Sequence, residues 1–209
     1  MIAEAFPPPN QLVDLRKTAV QVHHGQRVAP RSWKSTTAIV WHQSAVVLGE
    51  RPSRYNTLGA HFAVTRAGSV MQCHEINSIV AHAGLLNTRT VGIEIDGMYA
   101  GVEGDLRTFW KPTPDAKPQT LTAAAIESAK QLGRWIYSEV QRNGGEVRFC
   151  LAHRQASGQR RSDPGSAVWS QIVLPLMAEL GLSDGGPDFK VGDGLPIPTA
   201  WSALRTAKY

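Results

Sequence analysis

Apolar and polar residues alternate at every second position over residues 90–96, TVGIEID. Because successive side chains of a strand point to opposite faces, this pattern predicts a strand with Val91, Ile93 and Ile95 on one face and Glu94 and Asp96 on the other. Shorter β-rich runs predict four more strands, at residues 37–43, 61–66, 69–74 and 147–153. The Ala67-Gly68 pair between two of these runs predicts a hairpin turn, since tight hairpins need a residue with positive φ.

A longer pattern with a helical period follows residues 98–119, which are rich in Gly, Pro and charge and are interpreted as a loop. Residues 121–143 repeat apolar side chains every three or four positions, which predicts a helix that stops at Asn143. The apolar stripe consists of Leu121, Ala125, Ala129, Leu132, Ile136 and Val140. Residues 166–180 predict a second helix with a kink at Pro175, because proline lacks the N–H group of a helical hydrogen bond.

These elements predict the α/β fold class: a single domain in which a central mixed β-sheet is packed by two main helices. We expect an N-terminal arm at residues 1–35, irregular over 1–30, and a folded domain at 36–180. A Gly/Pro-rich tail at 181–209 is expected to pack on that domain. The 209 residues are enough to bury a substantial core.

Charge and composition narrow the range of partners. The chain carries 22 Lys and Arg against 17 Asp and Glu, and this excess of +5 suits a polyanionic partner such as a cell wall. The basic residues are scattered without interleaved aromatic residues, so we expect no nucleic-acid partner. No apolar run reaches the roughly 18 residues of a membrane helix, so no membrane insertion is expected. Cys73 and Cys150 are too few for a disulfide framework; they are interpreted as buried thiols, and one bridge between them stays open as an alternative.

Three residues have the character of a metal site. His42 and His153 each stand at the end of a predicted strand, where a sheet presents side chains to a cleft, and Asp163 follows His153 within loop reach. Two histidines and one carboxylate leave one open position on a tetrahedral Zn²⁺, which is the composition of a catalytic zinc site. The spacing includes neither HExxH nor CxxC, so the pattern is weak without further support.

Two other kinds of catalytic site fit the sequence less well. Cys150 and His153 are three residues apart in one predicted strand and point to opposite faces, which argues against a Cys–His pair. A Ser–His–Asp triad stays open as an alternative, although the chain has no G-x-S-x-G nucleophile elbow. The remaining histidines are interpreted as structural at His61 and His74 and as arm residues at His23 and His24.

Four segments resemble a known family when they are taken together. They are VWHQSA (40–45), GAHFAVTRAGSVMQ (59–72), AHAGLLNTRTVGIEIDG (81–97) and AHRQASGQRRSDPG (152–165). In this order they resemble the type-2 N-acetylmuramoyl-L-alanine amidases, which include phage lysozyme-type amidases, the muropeptide-recycling amidase AmpD and the peptidoglycan recognition proteins. The resemblance covers about residues 36–180. Ala60, at a position where phage enzymes carry a catalytic tyrosine, points to the AmpD-like branch.

The resemblance implies roles for individual residues. It implies Zn²⁺ ligands at His42, His153 and Asp163 and a catalytic glutamate at Glu94. It also implies that His82 and Asn87 line the substrate groove and that Arg161 stabilises the oxyanion. The family usually carries lysine at the position of Arg161. Arginine keeps the positive charge of lysine but cannot release a proton.

The expected function is therefore zinc-dependent hydrolysis of the amide between N-acetylmuramic acid and the L-alanine of the peptidoglycan stem peptide. The main alternative is a non-catalytic module that recognises peptidoglycan or muropeptides. A third hypothesis is a different zinc hydrolase, such as a peptidase, on the same scaffold. The start MIAEAFPPPN has no charged and apolar signal pattern, so we expect synthesis in the cytoplasm. The enzyme would act on the cell wall after lysis or secretion, or on muropeptides in the cytoplasm. If it is an antibacterial effector, an immunity or inhibitor protein is an expected partner.

Overall fold

A six-stranded sheet forms the centre of the protein. The computed structural model describes residues 6–102 and 119–201, and all statements on structure refer to these. The strands of the sheet, in spatial order, are β1 (Leu12–Asp14), β7 (Val70–Gln72), β6 (Phe62–Val64), β9 (Thr90–Ile95), β5 (Ala38–Gln43) and β10 (Phe149–Ala152). Neighbours are parallel except for the β6–β7 hairpin, so the sheet is mixed, as predicted.

β5 and β9 are neighbouring interior strands of the sheet, and this position explains why their sequences are so apolar. Every residue of β5 is buried, and a parallel strand covered on both faces needs apolar side chains on both. The strands pair in register, so that Val40 lies beside Gly92 and His42 beside Glu94. The predicted hairpin is confirmed, and Gly68 has a φ of 91° in its turn.

Helix α1 (Ala123–Arg142) covers one face of the sheet. The Thr122 side chain caps its first turn by accepting a hydrogen bond from the Ala125 N–H group. The predicted apolar stripe is buried along its whole length against the sheet residues Ile39, Trp41, Val91, Ile93 and Ile95. Gly133 allows close packing at this face, because a Cβ atom there would lie 2.4 Å from Leu176 Cδ2.

The second helical stretch continues through Pro175 with a local widening. It begins as α2 (Ser166–Val168), passes through a π-helical segment (Trp169–Val173) and ends as α3 (Leu174–Leu180). The irregularity that the sequence predicts at Pro175 therefore lies in the turn before it. A π segment is a usual response where the regular hydrogen-bond ladder of a helix is interrupted.

The prediction of an irregular arm over residues 1–30 is wrong from residue 12 onward. β1 joins the central sheet beside β7, and three two-residue strands follow: β2 (Val22–His23), β3 (Gln26–Arg27) and β4 (Ala29–Pro30). β2 pairs with β3, and β4 pairs with β8 (Ser78–Ile79). β1 and β4 form by pairing with residues far along the chain, which local patterning does not report.

The C-terminal segment as far as Trp201 lies against the domain. The Gln155 side chain donates to the carbonyl groups of Asp184 and Phe189, and the indole of Trp201 is buried beside Trp169. The division of the chain at residues 35 and 180 stays a prediction. Most of the expected 98–119 loop, residues 103–118, lies outside the described residues.

Two smaller predictions can also be compared with the structure. Cys73 and Cys150 are both buried and free, as expected. Within the described residues, no helix combines the length and apolar character needed to cross a bilayer.

Candidate metal centre

The candidate site lies on the face of the sheet opposite α1. Alternation along β9 turns Val91, Ile93 and Ile95 toward the helix, so that Thr90, Gly92 and Glu94 face the other way. In β5, alternation likewise places His42 on this second face, beside its register partner Glu94. The pairing of the two strands therefore fixes the relative positions of these two residues.

Three potential ligand atoms converge there. His42 Nδ1 lies 2.9 Å from His153 Nδ1, which lies 3.0 Å from Asp163 Oδ2. His42 is the next-to-last residue of β5, and His153 follows the last residue of the neighbouring β10, so parallel pairing brings the two histidines together. Two imidazole nitrogens and one carboxylate oxygen, all within 4.8 Å of one another, fit a zinc ion as a donor set.

Burial keeps His42 in the neutral form that a metal ligand requires. Desolvation, followed by the nearby His153 and His82, holds the pKa of His42 well below its usual range. The imidazole of His42 is consequently neutral near pH 7, and a neutral ring has a nitrogen lone pair for a metal.

Gln43 orients the aspartate. Its backbone N–H donates to Asp163 Oδ1 at 2.8 Å, which leaves Oδ2 directed at the histidines. The side-chain amide of Gln43 also donates to the carbonyl groups of Ser162 and Tyr99 and accepts from the Tyr99 N–H group. The loop that carries Asp163 is thereby tied to the end of β5, and such outer contacts commonly fix metal ligands.

Glu94 is a half-buried carboxylate next to the ligand cluster. Its Oε2 atom finds no hydrogen-bond partner among residues 6–102 and 119–201. Desolvation, reinforced by the Asp163 carboxylate, raises the pKa of Glu94 well above its usual range, and Arg160 opposes that rise. A carboxylate with a buried, uncommitted oxygen is suited to proton transfer.

His82 and Asn87 have different surroundings, although both line the groove beside His153. His82 Nδ1 lies 3.0 Å from His42 Nε2, so this ring contacts the candidate ligand directly. The Asn87 Oδ1 atom accepts from the N–H groups of His82 and Ala83, at 3.0 and 2.6 Å. Asn87 therefore holds the loop that carries His82, and its role toward a substrate stays a prediction.

The two adjacent arginines line different cavities. Arg160 lines the groove with His82 and His153, and its charge contributes to the lowered pKa of His42. Arg161 is exposed and lines a separate cavity with Arg154 and Leu195. The structure thus brings Arg160 to the candidate centre, whereas the resemblance assigns the oxyanion role to Arg161, and that assignment stays a prediction.

Sequence reasoning missed Gln43, Thr90, Gly92 and Arg160. Gln43 directly follows a proposed ligand, and Thr90 and Gly92 precede Glu94 at intervals of two residues on the same strand. That period could have placed them on the face of the site. No local pattern in the sequence indicates that Arg160, rather than Arg161, lines the groove.

The fold and the site together define an α/β protein with a candidate metal centre of the kind found in hydrolases. The family model described as N-acetylmuramoyl-L-alanine amidase (Amidase_2) matches residues 15–166, and the chain belongs to this family. A comparison with curated protein sequences finds no match.

Solved structures share the fold at low sequence identity. The endolysin amidase LysCS from Clostridium intestinale URNW is 16% identical, with a TM-score of 0.54 over 84% of this chain and 98% of that one. Wild-type Drosophila PGRP-LB is 15% identical, with a TM-score of 0.56 over 84% and 98%. The Drosophila peptidoglycan recognition protein SD is 16% identical, with a TM-score of 0.55 over 82% and 96%. These likenesses confirm the predicted fold, and the type-2 amidase and recognition-protein superfamily is confirmed with them, whereas the AmpD-like branch stays a prediction.

Proposed function

We propose that this protein is a zinc-dependent N-acetylmuramoyl-L-alanine amidase, which hydrolyses the amide between N-acetylmuramic acid and the first L-alanine of the stem peptide. The observation that carries the proposal is the convergence of His42, His153 and Asp163 beside a half-buried Glu94. Metal-assisted hydrolysis of an amide uses a Lewis acid together with a group that moves protons, and the residues of this site are suited to both roles.

In this proposal His42 Nδ1, His153 Nδ1 and Asp163 Oδ2 hold the zinc ion. A bound zinc ion would activate a water molecule and polarise the scissile carbonyl group. Glu94 accepts a proton from the attacking water and returns it to the leaving amine of L-alanine. Its uncommitted Oε2 atom is the position from which we expect the transfer.

A groove next to the centre provides room for the substrate. It is lined by His24, Gln26, His82, Asn87, His153 and Arg160, among others. We expect Arg160, which lines this groove, to stabilise negative charge on the tetrahedral intermediate, since a preorganised cation acts on charge as it develops. Two proteins of the same fold, a mutant of Drosophila PGRP-LB and peptidoglycan recognition protein-LE, were solved in complex with tracheal cytotoxin, a monomeric diaminopimelic acid-type peptidoglycan. A muropeptide is the ligand that we propose for this groove.

To test this, the purified protein is incubated with intact sacculi or with soluble anhydro-muropeptides, and the released products are identified by mass spectrometry. We expect free stem peptides, loss of activity with a chelator and recovery with Zn²⁺. Glu94→Gln keeps the size of the side chain but cannot take up the proton, so its rate should fall by roughly 10²–10⁴-fold. Glu127→Gln, an exposed change on α1, serves as the control.

Each outcome of this test is informative. Activity that survives metal removal, or a Glu94→Gln variant as fast as the native protein, would contradict the mechanism. Binding to sacculi without product release would support the alternative, a recognition module. Preference for sacculi would indicate a wall-degrading enzyme that acts outside the cytoplasm, and preference for anhydro-muropeptides would indicate a recycling enzyme.

A further inference from the structure

We propose that His82 and Thr90 act as positioning residues that fix the tautomer of His42, so that its Nδ1 lone pair faces the metal. The inference rests on the proposed function only in that it takes this site to bind zinc. It concerns hydrogen bonds that exist in the protein before any metal is bound. It assigns to His82 a role different from direct contact with substrate.

The three side chains form a continuous chain of hydrogen bonds. His42 Nε2 lies 3.0 Å from His82 Nδ1, and His82 Nε2 lies 3.1 Å from Thr90 Oγ1. The Thr90 hydroxyl donates to the carbonyl oxygen of Leu86 at 2.9 Å. His42, His82 and Thr90 are 1%, 8% and 0% exposed, so water does not compete freely for these bonds.

The far end of the chain sets its direction. A hydroxyl group has one proton, and the Thr90 proton is used in the bond to Leu86. Thr90 Oγ1 then accepts from His82 Nε2–H, which makes His82 Nδ1 an acceptor for His42 Nε2–H. The opposite direction would leave the oxygens of Thr90 and Leu86 at 2.9 Å with no proton between them.

This direction determines the tautomer at the near end of the chain. With its proton on Nε2, His42 has a lone pair on Nδ1, and this atom faces His153 and Asp163. The bond from Thr90 to Leu86 therefore selects the tautomer of His42 that can bind a metal through Nδ1.

Gly92 makes the arrangement possible. The ring of His82 lies against the backbone of β9, and a Cβ atom on Gly92 would be 2.6 Å from His82 Nδ1. The Asn87 side chain holds the backbone of His82 from the other side. The ring is thus confined to a position in which its two nitrogens reach Thr90 and His42.

The test reads the tautomer directly. In the metal-free protein with ¹⁵N-labelled histidine, long-range ¹H–¹⁵N spectra should show His42 protonated on Nε2. Thr90→Val removes the hydroxyl at nearly constant volume, so we expect a mixture of His42 tautomers and a Zn²⁺ affinity lower by roughly 10–100-fold. Thr90→Ser retains the hydroxyl and should keep the native His42 tautomer and the native Zn²⁺ affinity.

Thr36→Val provides a matched control. Thr36 is fully buried just before β5, and its hydroxyl meets no hydrogen-bonding group in the part of the chain that the structure describes. The same chemical change at this position should leave the tautomer and the zinc affinity unaltered. Equal effects of Thr36→Val and Thr90→Val would overturn the inference, and so would native His42 protonated on Nδ1. A native protein with the expected tautomer but no zinc binding would support the positioning role of His82 and Thr90 and would contradict the proposed function.

Discussion

At the scale of single residues, the positive charge that lines the groove beside the candidate centre decides how an oxyanion could be stabilised. Arg160 and Arg161 are adjacent in sequence, yet of the two only Arg160 lines the groove that contains His82 and His153. Arg161 lines another cavity, and its carbonyl oxygen accepts a hydrogen bond from Arg154. The charge of Arg160 also acts on Glu94, where it opposes the rise in pKa that burial causes.

These placements predict different effects of two neighbouring substitutions. Arg160→Ala should lower kcat by roughly 10²–10³-fold, the usual cost of losing one donor to a developing oxyanion. Arg161→Ala should change kcat less than about threefold, since the charge of an exposed side chain is screened by water and stabilises an oxyanion only weakly. Steady-state kinetics on a soluble muropeptide measures both, with Arg160→Lys as the variant that retains the charge. The reverse ranking would favour the assignment that the family resemblance implies.

The sequence predicted the candidate ligands because they fall within motifs that resemble a family in order. It could not predict which arginine faces the groove. A short loop has no period of 2 or 3.6 residues, so the direction of each side chain depends on the packing around it. His82 illustrates the same limit: the motif identified the residue, but its contact with His42 depends on how the loop folds over β9.

At the scale of elements, the β5–β9 pair carries most of the site. Alternation places Thr90, Gly92 and Glu94 on one face of β9, opposite the apolar residues that contact α1. This much was predictable from TVGIEID, because strand periodicity is local. The short strands β1 and β4 of the arm were not predictable, since they exist only through pairing with the distant β7 and β8.

The same strand pair leads to a prediction for Gly92→Ala. The new Cβ atom would lie 2.6 Å from His82 Nδ1, so the ring must move and its bond to His42 must lengthen. We expect Zn²⁺ affinity to fall by roughly tenfold, in the range typical for disturbed outer contacts of a metal site. The free energy of unfolding should fall by about 1–3 kcal/mol, as is usual for overpacking. Competition with a chelating dye and denaturant titration measure the two quantities.

Gly133→Ala is the control for this prediction. Its Cβ atom would lie 2.4 Å from Leu176 Cδ2, in the helix-covered core and away from the candidate centre. We expect a loss of stability of similar size, about 1–3 kcal/mol, with native zinc affinity. If Gly92→Ala bound zinc as tightly as the native protein, the ring of His82 would not be what positions His42.

At the scale of the whole molecule, the N-terminal arm contributes part of the lining of the groove. Its His24 and Gln26 line the groove together with His82 and Arg160. The buried Arg31 guanidinium holds the arm to the loop before β9, since it donates to the carbonyl groups of Ile76, Asn87 and Thr90. The family match begins at residue 15, which is consistent with an arm that is part of the domain.

A pair of buried histidines is a second attachment of the arm. His23 Nε2 lies 3.1 Å from His74 Nε2, so one ring donates and the other accepts. His24 on the arm lies near His23, and His61 lies near His74 on the sheet side. If both rings of the pair were protonated, two N–H groups would face each other and the contact would be lost.

This pair predicts how stability depends on pH. Desolvation, followed by His23, lowers the pKa of His74 from 6.5 to about 4, so the unfolded chain takes up a proton that the folded protein refuses. The contribution of His74 to stability is therefore complete above about pH 6.5 and is lost as the pH falls toward 4. Denaturant titrations from pH 8 to 4 should show a shallower decline for His74→Gln than for the native protein. His24→Asn is the comparison variant, because His24 is exposed and asparagine tolerates its φ of 48°; it should change the slope less than His74→Gln does. A loss of packing in His74→Gln lowers stability by the same amount at every pH, so it does not affect the slopes. Parallel curves for all three proteins would show that the His23–His74 pair does not make the attachment of the arm sensitive to acid.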